Sequence, residues 1–215
     1  MSMEKGKKES GHGISCEIEV RQEAEASLPT AFGDFRIIYF SNSQDKKDHV
    51  ALVKGKIKGM ENVLVRVHSK CLTGDSFGSI KCDCRAQLEG AMKKIEGEGA
   101  GAIIYLDQEG RGIGLMNKIK AYALQDTGLD TVEANLKLGL KADERNFHIA
   151  ARIIESLGVK SIRLMTNNPE KLKNLKMCGI KVIERVPSIT KPTSQNKGYL
   201  NTKKDKFGHL ISDAI

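Results

Sequence analysis

Tryptophan is absent from this 215-residue sequence, and aromatic residues of all kinds make up only 5% of it. So few rings offer little platform for stacking unpaired bases, which counts against a single-strand nucleic-acid module. Long apolar runs are missing as well. The longest, such as Ala102-Ile103-Ile104-Tyr105-Leu106, fall far below the ~20 residues that a membrane span requires. Met1 to Ser10 are charged and contain no apolar h-region, so a secretory signal is not expected. The expectation is a soluble, cytoplasmic protein with no membrane partner. Internal repeats and low-complexity tracts are also missing.

What is present fits one globular unit. Hydrophobic residues at 40%, before 21 glycines are counted, supply one core at this chain length. A formal charge of +8 favours polyanions in general and selects none of them. Five cysteines (Cys16, Cys71, Cys82, Cys84, Cys178), an odd number without an export signal, point to metal or catalytic use rather than a disulfide framework.

Periodicity divides the chain into a flexible tail over residues 1–26, a folded domain over 27–189 and a loosely held C-terminal segment over 190–215. Asp34–Phe40, His49–Lys56 and Asn62–His68 read as strands, with Val63, Val65 and Val67 alternating. Leu88, Ala91, Met92 and Ile95 mark a helix that stops at Gly97 and Gly99. Strand Ala102–Leu106, a glycine-punctuated loop Asp107–Gly114, a helix Leu115–Asp126 and a helix over Phe147–Leu157 follow. Ser161–Met165, a helix starting at Asn168-Pro169, and Ile180–Val186 form a strand–helix–strand unit that predicts a parallel crossover. The fold class expected is α/β: a single domain with a mixed β-sheet flanked by helices, a three-layer sandwich.

Cys71, Cys82 and Cys84 give a C-x10-C-x-C spacing. Three soft thiolates favour zinc, and three protein ligands with an open position are the arrangement of a catalytic rather than a structural site. Two alternatives stay open: His68 as a fourth, structural ligand, or cysteines that are only small buried hydrophobes. Cys16 and Cys178 receive no role.

The blocks around these cysteines resemble GTP cyclohydrolase II. They are Arg66-Val67-His68-Ser69-Lys70-Cys71 through Lys81-Cys82-Asp83-Cys84, Gln108-Glu109-Gly110-Arg111-Gly112-Ile113-Gly114-Leu115, Asn117 to Asp126, Asp130 to Asn135, Ala142-Asp143-Glu144-Arg145, Leu164 to Pro169 and Val182 to Pro187. The likeness extends over about residues 28 to 210. It implies a hydrolase of riboflavin biosynthesis that opens the guanine imidazole ring of GTP and releases formate and diphosphate. By the same likeness Cys71, Cys82 and Cys84 hold one Zn2+ per chain, and Mg2+ accompanies the triphosphate. Substrate contacts fall to Arg66, Val67, His68, Ser69, Lys70, Gln87, Glu109, Gly110, Arg111, Thr131, Thr166 and Lys171. Tyr122 becomes a phenol facing the reacting ring. Asp143 becomes a proton acceptor, and Arg145 either a nucleophile toward the α-phosphate or an electrostatic clamp on it. From the residues alone, Asp143 serves equally as an N-cap for the Asn146–Leu157 helix. A homodimer is implied, with GTP as partner and no nucleic acid.

Two positions depart from the family pattern: Lys70 stands where Glu is usual, and Arg85 where a small residue is common. Both are expected to add positive charge near the pocket. The rivals are a relative acting on another nucleotide or stopping at the formamide intermediate, and a zinc-stabilised basic nucleic-acid-binding module. A deaminase is disfavoured, because no Pro-Cys-x-x-Cys element occurs.

Overall fold

The computed structural model describes residues 18–211. Among these, seven strands build one mixed sheet in the order β1-β2-β3-β5-β4-β6-β7. β1 (Val20–Thr30), β2 (Gly33–Asn42) and β3 (His49–Lys54) form an antiparallel meander, and β3 pairs antiparallel with β5 (Gly101–Leu106). β4 (Val63–Ser69), β5, β6 (Ile162–Met165) and β7 (Val182–Val186) run parallel. The helices are α1 (Cys84–Glu98), α2 (Gly114–Gln125), α3 (Thr131–Lys137), α4 (His148–Ser156), α5 (Pro169–Met177) and α6 (Lys197–Phe207).

The period of two along the central strands divides the core into two layers. Val63, Val65 and Val67 of β4 join Ala102, Ile104 and Leu106 of β5 against α4, whose Ile149, Ile153 and Ile154 are buried, and against Leu175 of α5. Leu64 and Ile103 face the opposite way, onto Ala91, Met92 and Ile95 of α1. Each fully buried Leu or Ile there contributes about 1.5–3 kcal/mol of transfer free energy. This is the three-layer α/β arrangement expected. β4 is buried on both faces, and Arg66 and His68 share the face of Leu64 near its carboxyl end.

Three local expectations are corrected. Residues 20–26 belong to β1 rather than to a tail; the rest of that expected tail, with Cys16, lies outside the described residues through residue 17. β1 is an edge strand with most residues exposed, so no apolar alternation betrays it. The segment after 190 is not loosely held where it is described: α6 buries Leu200, Thr202 and Lys203. Two of those three are polar, so no helical stripe shows in the sequence. α3 was not expected at all. It is seven residues long, and its start carries a full capping box, Asp130 with Glu133.

Candidate active site

β4 has β5 on one side and β6 on the other, so the loops leaving its neighbours diverge and open a crevice at the carboxyl ends. Cys71 stands two residues after the end of β4 and leads into a π-helical turn, Leu72–Ser76. Cys82 precedes α1 and Cys84 is its first residue. The three sulfurs lie within 4.8 Å of one another, with Cys71 Sγ and Cys82 Sγ 3.7 Å apart, and all three thiols are free. No further His, Cys, Asp or Glu joins this group among the described residues. His68 is not a fourth ligand. Its ring stacks on Tyr105, its register partner on β5, and its Nε2 lies 3.1 Å from Asp75.

Backbone closes the floor of the cluster. A Cβ on Gly74 would stand 2.9 Å from Cys82 Sγ, 3.1 Å from Cys71 Sγ and 3.2 Å from Cys84 Cβ. Asp75 fixes the same turn by accepting from the Cys71 amide at 3.0 Å and from the Tyr105 hydroxyl at 2.8 Å. Hydrogen bonds from the Cys82 and Cys84 thiols push the Cys71 thiol far down, and Lys118 adds to this. The hydrogen bond with Cys71 pushes Cys82 up to about 11 and raises Cys84. Three converging sulfurs on a glycine floor can hold a metal ion, which would take the remaining thiols as thiolates and release their protons.

The loop after β5 supplies the next wall. Gly110 and Arg111 both occupy the left-handed region, at φ 62° and 61°. For Arg111 that conformation is strained, and such strain concentrates where function needs it. It sends the guanidinium against the rings of Phe207 (4.2 Å) and Tyr199 (5.5 Å) of α6. Glu109 is turned inward instead. Its carboxylate accepts from the Leu72 amide at 2.7 Å and from Lys118 Nζ at 2.6 Å, while the same Nζ donates to Cys71 Sγ at 3.1 Å. The Tyr122 hydroxyl, one turn along α2 from Lys118, meets Thr73 Oγ1 at 3.2 Å. Glu109, Gly110, Arg111, Lys118 and Tyr122 line one pocket together with the three cysteines.

A second pocket adjoins it and shares Ser69, Cys84, Arg111, Arg145 and Tyr199 with the first. Its lining is cationic: Arg66, Arg111, Arg145, Lys171 and Lys203. Burial, with Arg66, Arg145 and Lys203 nearby, drives the Lys171 ammonium well below the usual lysine range. Burial likewise lowers Arg66 to about 10. Arg66 Nε and both terminal nitrogens of Arg111 are buried without a partner. Crowded, desolvated and partly unpaired cations of this kind can receive an anion.

Arg145 is gripped by Asp143 through Nε at 2.9 Å, and its backbone amide donates to the same carboxylate at 3.0 Å. Burial pushes the Asp143 carboxyl up, but Arg145 outweighs it and the net direction is down; Arg145 is raised in turn. Asp143 therefore does not cap the following helix, which begins at His148 with Phe147 in the N-cap position.

The profile of the GTP cyclohydrolase II family matches residues 21–187. The chain belongs to the GTP cyclohydrolase II family. It is 55% identical over 194 residues to a GTP cyclohydrolase-2 of Proteus mirabilis, covering 90% of this chain and 98% of that one. It is 53% identical over 193 residues to a riboflavin biosynthesis protein RibBA of Chlorobium phaeovibrioides, covering 90% of this chain and 47% of the relative. The chain thus spans about half the length of that RibBA relative. A solved two-domain 3,4-dihydroxy-2-butanone 4-phosphate synthase from A. baumannii aligns over 80% of this chain and 40% of its own at 18% identity, TM-score 0.49, too distant to carry weight.

Of the positions singled out by likeness to GTP cyclohydrolase II, Ser69, Lys70, Glu109, Gly110, Arg111, Tyr122, Thr131 and Arg145 line the first pocket with the cysteines. Arg66, His68, Gln87, Thr166 and Lys171 line the second. Val67 stands apart: its side chain is in the core, and only its carbonyl reaches inward, accepting from Lys171 Nζ at 2.7 Å. Of the two departures from the family pattern, Lys70 lines the pocket and pairs with Asp107 at 3.3 Å. Arg85 does not: it is exposed and pairs with Glu89 one turn along α1. Sequence reasoning missed Lys118, Asp75, Asp83, Tyr199 and Lys203. The four-residue spacing of Lys118 from Tyr122 was a usable signal; nothing local marked Lys203.

Among the described residues no helix is long and apolar enough to cross a membrane.

Proposed function

We propose that this chain is a zinc-dependent GTP cyclohydrolase II, cytoplasmic and homodimeric, that hydrolyses GTP to a diaminopyrimidinone ribosyl phosphate with release of formate and diphosphate. The observation that carries the reading is the joining of two unlike pockets, a three-sulfur metal cradle and a buried cationic chamber, through a shared wall of five residues. A purine fits beside the sulfurs while its triphosphate extends into the cations. Sulfur donors select zinc in this setting, and among the described residues no fourth protein ligand joins the three sulfurs, which leaves a position open. Zinc, when bound, supplies a Lewis acid that brings water to nucleophilic strength near neutral pH. Magnesium accompanying the triphosphate would lower its net charge.

The chain's own residues do the rest. Lys118 donates to Cys71 Sγ and offsets part of the charge that three thiolates accumulate. Tyr122, with Thr73 behind it, stands at the pocket wall, where its hydroxyl can pass a proton to or from the opening ring. Arg145 stays protonated in the grip of Asp143, so its role is to stabilise charge developing on the α-phosphate rather than to attack it. Lys171 and Arg66 face the remaining phosphates, whose negative charge opposes the burial that disfavours the Lys171 ammonium.

The test follows formate, diphosphate and bound zinc separately in wild type and Cys82→Ser. The expected result is stoichiometric formate and diphosphate from wild type, with loss of zinc and of formate together in the variant. Diphosphate without formate from wild type would convert the reading to an arrested hydrolase. A zinc-free variant that still releases formate would defeat the metal mechanism.

A further inference from the structure

The family match ends at residue 187, before α6 begins at Lys197, yet α6 closes both pockets. Tyr199 lines the two of them, and Lys203 lines the cationic one together with His209 from the turn that follows. The helix and the turn that follows it are tied down at three places. Lys206 pairs with Asp130 and Glu133 around the start of α3, the Leu210 amide donates to the Asn167 carbonyl at 2.8 Å, and Lys203 Nζ donates to Asp83 at 2.5 Å.

Asp83 lies between two of the sulfur residues. Its second carboxylate oxygen accepts from Gln87 Nε2 at 2.6 Å, and Gln87 Oε1 accepts in turn from the Arg66 guanidinium. One connected chain of polar groups therefore runs from α6 through the cysteine loop to β4. Lys203 itself is 7% exposed and lies 4.4 Å from the Tyr199 ring. A buried ammonium has three donors; one goes to Asp83, and the pocket that Lys203 lines holds the unpartnered Arg66 Nε and Arg111 nitrogens.

We propose that Lys203 is a further substrate-binding residue that takes a phosphate of the nucleotide, held in place by Asp83, so that α6 forms the fourth wall of the site. This rests on the proposed nucleoside triphosphate substrate. Because Asp83 belongs to the cysteine loop, the same contact fixes the distance between the phosphate end of the substrate and the metal cradle.

The test uses the full chain with zinc bound and two probes, inorganic tripolyphosphate and guanosine, titrated by calorimetry. Lys203→Met strands a buried carboxylate, so it is paired with Asp83→Asn, which keeps the loop neutral; Lys203→Arg is the conservative partner. Loss of one charge-assisted hydrogen bond predicts about 10–100-fold weaker tripolyphosphate binding in the paired variant, with guanosine affinity and zinc content unchanged and with tripolyphosphate binding largely kept by Lys203→Arg. Unchanged tripolyphosphate binding in the paired variant would overturn the assignment. An equal loss of both probes would also overturn it, since that is the mark of a merely structural role. A wild-type chain that binds neither probe would instead defeat the proposed function.

Discussion

Gly74→Ala is the most discriminating perturbation of the metal cradle, because it adds one methyl group and replaces no ligand. The new Cβ would sit 2.9 Å from Cys82 Sγ and 3.1 Å from Cys71 Sγ, whereas ordinary contact begins near 3.4 Å. One sulfur must therefore yield by about 0.5 Å and another by about 0.3 Å. A functional metal site tolerates only about ±0.2 Å in its ligand distances. The turn cannot retreat easily, because Asp75 ties it to the Cys71 amide and to the Tyr105 hydroxyl. Disturbing the support of a metal ligand usually costs about 10–100-fold in affinity, and that is the loss expected, read by competition with a chromophoric chelator. Gly90→Ala in α1 is the control. Nothing lies within 4 Å of its added Cβ, so it should leave zinc affinity alone and stabilise the fold by about 0.4–1 kcal/mol. A Gly74→Ala protein that binds zinc as tightly as the control would refute the cradle geometry.

Lys118→Met should lower stability by about 3–5 kcal/mol in urea unfolding, because it leaves the Glu109 carboxylate buried without its cation; a shift under 1 kcal/mol would count against that pair. Tyr122→Phe keeps the ring and removes the hydroxyl, so kcat should fall by about 10²–10⁴ while zinc content stays the same, and an unchanged kcat would exclude the phenol from proton transfer. His209 is held down to about 3 by burial first, then by Lys203, Arg145, Lys171 and Arg111. Between pH 6.5 and 3 the unfolded chain binds a proton that the folded chain refuses, so stability falls as pH drops through that window. In His209→Gln the decline of Tm from pH 6.5 to pH 4 should be shallower than in wild type, and an identical slope would rule His209 out.

Local pattern determined a good deal of this protein. The valines of β4, the helical spacing of Leu88, Ala91, Met92 and Ile95, and the Asn168-Pro169 start of α5 all declare themselves within a few residues, because burial of one face imposes a period. The three cysteines were legible for a similar reason: few residue types bind soft metals, and their spacing is short. β1 and α6 were not legible. The first is an exposed edge and the second is docked through lysines, so neither carries an apolar stripe. Tertiary structure alone decided that His68 turns to Asp75 instead of to the sulfurs and that Glu109 faces Lys118. It alone brought Lys203, 120 residues along the chain from Asp83, onto the cysteine loop. Sequence pattern records how a segment meets the average interior. The partner of each buried charge depends on which strand ends the sheet sets side by side, and that order is not written in any one segment.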